Sequence, residues 1–186
     1  WLVIIGTFVA GVIGKVIFGG IGANPFNPAL IGMSFLMLSW KAFFDFDAAY
    51  INYEFTFTAL APLAALKFQG PAAVAEFFPL SDLIMGQQVG AIGSTFGLGL
   101  ILGGIFLILR GYIRWEIPVS FIAGIIVTAF CFNLANPDTY AGPVIHLFSG
   151  YTLMGAFFLA TENSSSPSNR IPMLLYGFFA AVMIIL

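Results

Sequence analysis

Charge is what this sequence has least of. Asp, Glu, Lys and Arg together make up 8% of its 186 residues, where a soluble domain carries roughly a quarter. Too few charges remain to cover a water-facing surface. Cysteine is nearly absent as well. The single one, Cys131, excludes an internal disulfide and a cysteine-ligated iron–sulfur cluster, and its apolar surroundings read as those of a small core hydrophobe. With one histidine, His146, and no Cys or carboxylate at ligand spacing from it, no metal site is expected. There is no basic stripe with interleaved aromatics, so nucleic acid is excluded as a partner. No Ser-His-Asp constellation or Walker loop occurs either, and no residue is assigned a catalytic role.

What the chain has in abundance is apolar length. It is 60% hydrophobic, with a mean hydropathy of +1.03. In hydrocarbon every backbone polar group must be paired internally, which leaves helices or a closed barrel. Barrel strands would alternate in polarity, whereas the runs here are uniformly apolar. Uncharged stretches cover 1–14, 16–40, 83–109, 117–137, 139–161 and 171–186. At about 20 residues per crossing, they predict an all-α polytopic bundle of about six transmembrane helices, with broken or re-entrant segments. By length the whole of 1–186 is one membrane domain, and we expect it to continue beyond both ends. The segment 41–82 holds five acids and reads as a long loop. Lys15, Arg110, Arg114 and Arg170 fall on one side, Lys41 and Lys67 on the other. The positive-inside rule then predicts loops 111–115 and 162–170 in the cytoplasm and loop 41–82 outside.

Three stretches could carry chemistry. The strongest is Gly19-Gly20-Ile21-Gly22-Ala23-Asn24-Pro25-Phe26-Asn27-Pro28-Ala29. Its glycines permit unusual backbone geometry and close ligand approach, and Asn27 with Pro28 suits a helix start. A broken membrane helix of this kind often lines a binding site or ion path; a tight turn at the membrane surface explains it equally well. The second runs from Gly142 to Gly150 around His146, which is either an interfacial histidine or a proton relay. The third, from Thr161 to Arg170, gathers Glu162, Asn163, four serines and Asn169. It is either a polar connection or a loop that contacts a flavin or an ion. The glycines between Gly86 and Gly104 read as close helix packing.

These residues resemble a known family. The 19–29 stretch is similar to the GGxGxNxFNPA signature of the RnfD/NqrB family, membrane subunits of the Rnf complex and of the sodium-pumping NADH:quinone reductase. The resemblance continues in order through Arg114-Trp115-Glu116-Ile117-Pro118-Val119-Ser120-Phe121, through His146-Leu147-Phe148-Ser149-Gly150 and through Gly155-Ala156-Phe157-Phe158-Leu159-Ala160-Thr161. It ends in Ser168-Asn169-Arg170 and Tyr176-Gly177. It implies a helical membrane bundle with broken helices, urea-transporter-like in outline, in the inner (cytoplasmic) membrane. It also implies a subunit of a redox-driven, ion-translocating electron transport complex that moves Na⁺ or H⁺ beside other membrane subunits. The residues it marks as cofactor-binding are Gly22, Asn24, Asn27, Thr58, Thr161, Asn163 and Asn169.

The resemblance further implies a flavin, FMN or riboflavin. In the family FMN is typically esterified to a Thr within a pattern like D-x-x-S-G-A-T-P-L. The match here is Phe55-Thr56-Phe57-Thr58-Ala59-Leu60-Ala61-Pro62-Leu63. Aligned on Pro62-Leu63, Ala61 replaces the acceptor Thr and Phe55 the Asp, so covalent FMN is not expected at Ala61. Thr58 is the fallback acceptor. Two further departures stand out. Gly90-Ala91-Ile92-Gly93-Ser94 lacks the carboxylate of the family's Gly-x-x-Gly-Glu, and Thr161-Glu162-Asn163 replaces Thr-Asp-Pro. The alternatives to a redox-pump subunit are a channel or facilitator and a cofactor-free structural subunit of the same fold.

Overall fold

A computed structural model of the protein describes residues 1–44 and 61–186. Among them every regular element is helical. The α-helices are α1 (Leu2–Phe8), α2 (Pro28–Ser39), α3 (Pro62–Phe77), α4 (Leu80–Met85), α5 (Gly97–Leu109), α6 (Glu116–Ala135), α7 (Pro143–Phe148), α8 (Thr152–Met154) and α9 (Arg170–Ile185). Wider π-type turns extend α1 over Val9–Ile13 and α8 over Gly155–Leu159. Among the described residues only α6 is long and apolar enough to cross a membrane unbroken, with 20 residues at a mean hydropathy of 2.1. At 1.5 Å per residue it spans about 30 Å, the thickness of a bilayer's hydrocarbon.

Three of the other uncharged runs are divided. The run 16–40 breaks between residues 18 and 28, the run 83–109 between 85 and 97, and the run 139–161 at 149–151. The described part of 41–82, expected to be loop, is mostly helical. It includes α3, which is two helical stretches joined at Gly70 (φ 85°, ψ 175°) ahead of Pro71. Proline lacks the N–H for a continuous ladder and restricts the residue before it, which explains the joint. Cys131 also departs from expectation. It lies exposed on α6, not in a core.

The described residues pack as two compact units, one of 1–44 with 162–167 and one of 61–161 with 168–186. In the first, α1 and α2 run antiparallel. Gly6 lies against Leu36, and a methyl on Gly32 would meet the Gly6 carbonyl at 2.8 Å. Trp1 meets Trp40 edge to face at 5.1 Å at one end of this hairpin, and the glycine-rich stretch closes the other. In the second unit, Phe121, Ile125, Leu153, Ala156, Phe157 and Ala181 form one buried cluster. Ala65, Val74, Phe78 and Leu83 form another, and Phe148 packs against both.

Small residues set the helix spacing in the second unit. Gly124 on α6 faces Ala181 and Phe178 of α9, and Gly177 on α9 faces Ser120 and the Ile117 carbonyl of α6. On α5, Gly97 and Gly104 face the rings of Phe148 and Phe157. Close backbone approach through small residues is how apolar helices associate when the surroundings are as apolar as their side chains. Many large side chains stay outside: Ile21, Leu38, Ile92 and Leu109 are each at least 80% exposed.

Candidate functional site

The site belongs to the first unit and begins with a broken helix. The backbone takes positive φ at Gly19 (109°), Gly20 (93°) and Gly22 (82°), a conformation that costs other residues steric strain. The chain thereby turns and restarts at α2. Asn27 caps that restart: its side-chain oxygen accepts from the N–H groups of Ala29 at 3.0 Å and Leu30 at 3.3 Å. Pro28 follows as the first helical residue, where its missing N–H costs nothing.

Between the glycines and the cap sits Asn24, only 2% exposed. Its side-chain nitrogen donates to the Phe26 carbonyl at 3.0 Å and to Glu162 Oε1 at 3.0 Å. The other carboxylate oxygen of Glu162 accepts from the Ser165 hydroxyl at 2.8 Å. The Ser166 N–H closes the loop on the Glu162 carbonyl at 3.1 Å. A half-buried carboxylate is therefore held from two sides by neutral donors. Each oxygen, with two lone pairs, keeps capacity for one more partner. Such a group can take a cation or a proton.

The remaining sequence candidates divide by position. Gly22 forms the turn, and Asn24 and Asn27 flank its exit. Thr161 is buried, and its hydroxyl donates back to the Phe157 carbonyl at 2.8 Å. Asn163 is exposed, and Asn169 precedes α9 with no side-chain cap bond. Thr58 lies outside the described residues. Ala61 precedes α3 in extended conformation (φ −66°, ψ 138°). Sequence reasoning gathers Glu162 into its polar cluster without singling it out. The signal is nonetheless there: a carboxylate at the edge of a long uncharged run is costly unless it has a task.

Two further polar features lie in the second unit. Glu116, at the start of α6, has a side chain 5% exposed and lies 3.6 Å from the Arg170 guanidinium, which is itself 82% exposed. Arg114 donates to the Ser168 carbonyl at 3.3 Å. Together they tie the turn before α6 to the start of α9. Ser94 is buried and donates to the Ala91 carbonyl at 2.9 Å.

Known proteins are similar to this sequence along its whole length. The sequence model described as the NQR2, RnfD, RnfE family matches residues 1–186. The D subunit of an ion-translocating oxidoreductase complex from Vibrio cholerae serotype O1 (strain O395) is 33% identical over the whole chain, which covers 62% of that relative. The D subunit of the proton-translocating ferredoxin:NAD(+) oxidoreductase complex of Clostridium ljungdahlii is 33% identical over 98% of the chain and 57% of its own length. Its counterpart in the Na(+)-translocating ferredoxin:NAD(+) oxidoreductase complex of Acetobacterium woodii is 35% identical over 95% of the chain and 53% of its own length. The chain thus spans between about half and two thirds of the length of these relatives.

Proposed function

Since this chain belongs to the NQR2, RnfD, RnfE family, we propose that it is a membrane subunit of an ion-translocating oxidoreductase complex of the ferredoxin:NAD type. Its contribution is the broken-helix scaffold and part of the ion path. The observation that carries this reading is the Asn24–Glu162 contact, which joins the glycine-rich break to the polar loop at 3.0 Å. Glu162 occupies the place of the Asp in the family's Thr-Asp-Pro, so the acid is kept with one more methylene. The exposed apolar faces of the described helices support a lipid environment, with the other membrane subunits as neighbours. The finer features, about six spans with a urea-transporter-like outline, loops 111–115 and 162–170 cytoplasmic, and an inner-membrane location, belong to the same proposal. The two ferredoxin:NAD relatives are named for different ions, H⁺ and Na⁺, and both remain within it.

For the flavin (FMN or riboflavin) that the resemblance implies, the described residues give a poor fit. Ala61 has no side-chain hydroxyl to esterify, and Asn24 Nδ2, Asn27 Oδ1 and the Thr161 hydroxyl already bond to the protein itself. Thr58 is the fallback acceptor. No step is therefore routed through a flavin on this chain. The absence of a hydroxyl at Ala61 and of a carboxylate at Ser94 favours, as a second reading, a channel or cofactor-free subunit of the same fold. In-gel ultraviolet fluorescence of the denatured full-length protein tests for covalent flavin. We expect no flavin band; a band abolished in Thr58→Ala would establish covalent flavin.

A further inference from the structure

In the second unit, crossed contacts hold two exposed guanidinium groups at the starts of α6 and α9. Arg114, in the turn before α6, donates through Nη1 to the Ser168 carbonyl at 3.3 Å. Arg170, the first residue of α9, places Nε 3.6 Å from Glu116 Oε1 at the first residue of α6. Each contact engages one nitrogen, and a guanidinium carries five N–H donors, so most of both forks stays available. Arg110 is exposed at the head of the same turn. Glu116 is the sole acid in 97–135 and 168–186, and it is buried beneath the arginines' exposed charge. Tyr112 and Trp115 are exposed in this turn as well, residue types that collect where membrane meets water.

Below Arg170, α9 presents two different faces. Met173, Gly177 and Ala181 are buried, with Gly177 and Ala181 packed against α6. Ile171, Leu175, Phe179 and Met183 recur at the same four-residue spacing on another face, and all four are exposed. From Ile171 to Met183 this apolar stripe runs about 18 Å at a rise of 1.5 Å per residue. Half the thickness of bilayer hydrocarbon is about 15 Å.

On the membrane placement proposed above, we infer that this edge holds an anionic phospholipid. Its phosphate sits on Arg114 and Arg170, and an acyl chain lies along the exposed stripe of α9. Guanidinium forks pair with phosphate oxygens through charge-assisted, often bidentate bonds. A zwitterionic headgroup brings its own ammonium, which three arginines repel. A free phosphate would use the arginines and leave the stripe uncovered, whereas a lipid uses both. The stripe is also about as long as one leaflet is deep. Basic pockets beside membrane helices take anionic headgroups on the same chemistry.

The test is photolabelling of the purified complex containing the full-length subunit, with the labelled peptides mapped. The probe is phosphatidylglycerol with a photoactivatable acyl chain, compared with phosphatidylcholine carrying the same chain. In the wild type we expect phosphatidylglycerol to label the α9 stripe about tenfold more strongly. Arg114→Gln with Arg170→Gln should bring the two lipids to equal labelling. Arg114→Lys with Arg170→Lys keeps the charge and should keep most of the preference. Unlabelled phosphatidylglycerol should displace the probe where inorganic phosphate at the same concentration does not. Equal labelling by both lipids in the wild type overturns the inference. So does an unlabelled stripe, as a neighbouring subunit covering it would give, or an undiminished preference in the assembled double Gln variant. Displacement by inorganic phosphate as readily as by lipid overturns it too. Electron-driven ion uptake by vesicles is read separately. Its loss on removing the subunit upholds the functional reading even where labelling fails.

Discussion

Asn24 and Glu162 lie 138 positions apart and meet at 3.0 Å, which makes Glu162 the residue on which the ion-path reading turns. Glu162→Gln keeps the shape and one accepting oxygen while removing the charge. We expect the complex to assemble normally and its electron-driven ion uptake to fall at least about tenfold, equivalent to ~1.4 kcal/mol. Normal uptake would make the carboxylate a structural brace. Asn24→Leu removes the donor and leaves a half-buried carboxylate with one partner, so both turnover and stability should drop. Co-purification of the subunit together with turnover measures the two effects. Asn27 acts locally, through two accepted N–H bonds. Asn27→Ala should lower thermal stability by about 1 kcal/mol, the typical value of a cap, with little effect on ion affinity. Equal losses of ion affinity in Asn27→Ala and Glu162→Gln would show the whole turn, not the carboxylate, to be the site.

At the scale of elements, the tightest packing is between α6 and α9. A methyl added to Gly177 would lie 2.7 Å from the Ile117 carbonyl and closer still to Ser120 Oγ. Gly177→Ala should therefore push the helices apart and cost about 1–3 kcal/mol, as overpacking does. Gly11→Ala, with open space around its site, should be neutral or stabilising; comparing the thermal midpoints of the two variants checks this. Some local features are legible in the sequence. The Asn27–Pro28 helix start follows from capping chemistry within three residues, and the glycine-rich turn from backbone sterics. The breaks at 86–96 and 149–151 are not legible as breaks, because the residues there are uncharged and the surrounding runs read as continuous apolar length. Gln88 joins the first to the edge of the second by donating to the Phe148 carbonyl at 2.9 Å, a tertiary contact. The Asn24–Glu162 contact likewise has no local signature. The polar loop is visible in the sequence, but its partner is not.

For the whole molecule, the apolar composition and the family match over residues 1–186 agree with an all-helical chain whose large hydrophobic side chains are exposed on many faces. Among the described residues one helix is long enough to cross a bilayer by itself, and the other apolar helices are shorter. A purely structural membrane subunit would need fewer such breaks, each of which leaves backbone groups to be satisfied in hydrocarbon. Asn24, Gln88, Ser94 and Ser149, four of the buried polar side chains, lie in these breaks. On this reading the chain serves ion movement and not electron chemistry. The most direct measurement is ion uptake by sealed vesicles bearing the full complex, driven by electron transfer, with the subunit present, absent, or carrying Glu162→Gln. We expect uptake with the wild-type subunit, none without it, and a severe loss with Glu162→Gln while the subunit still assembles. Undiminished uptake in vesicles lacking the subunit would contradict the account.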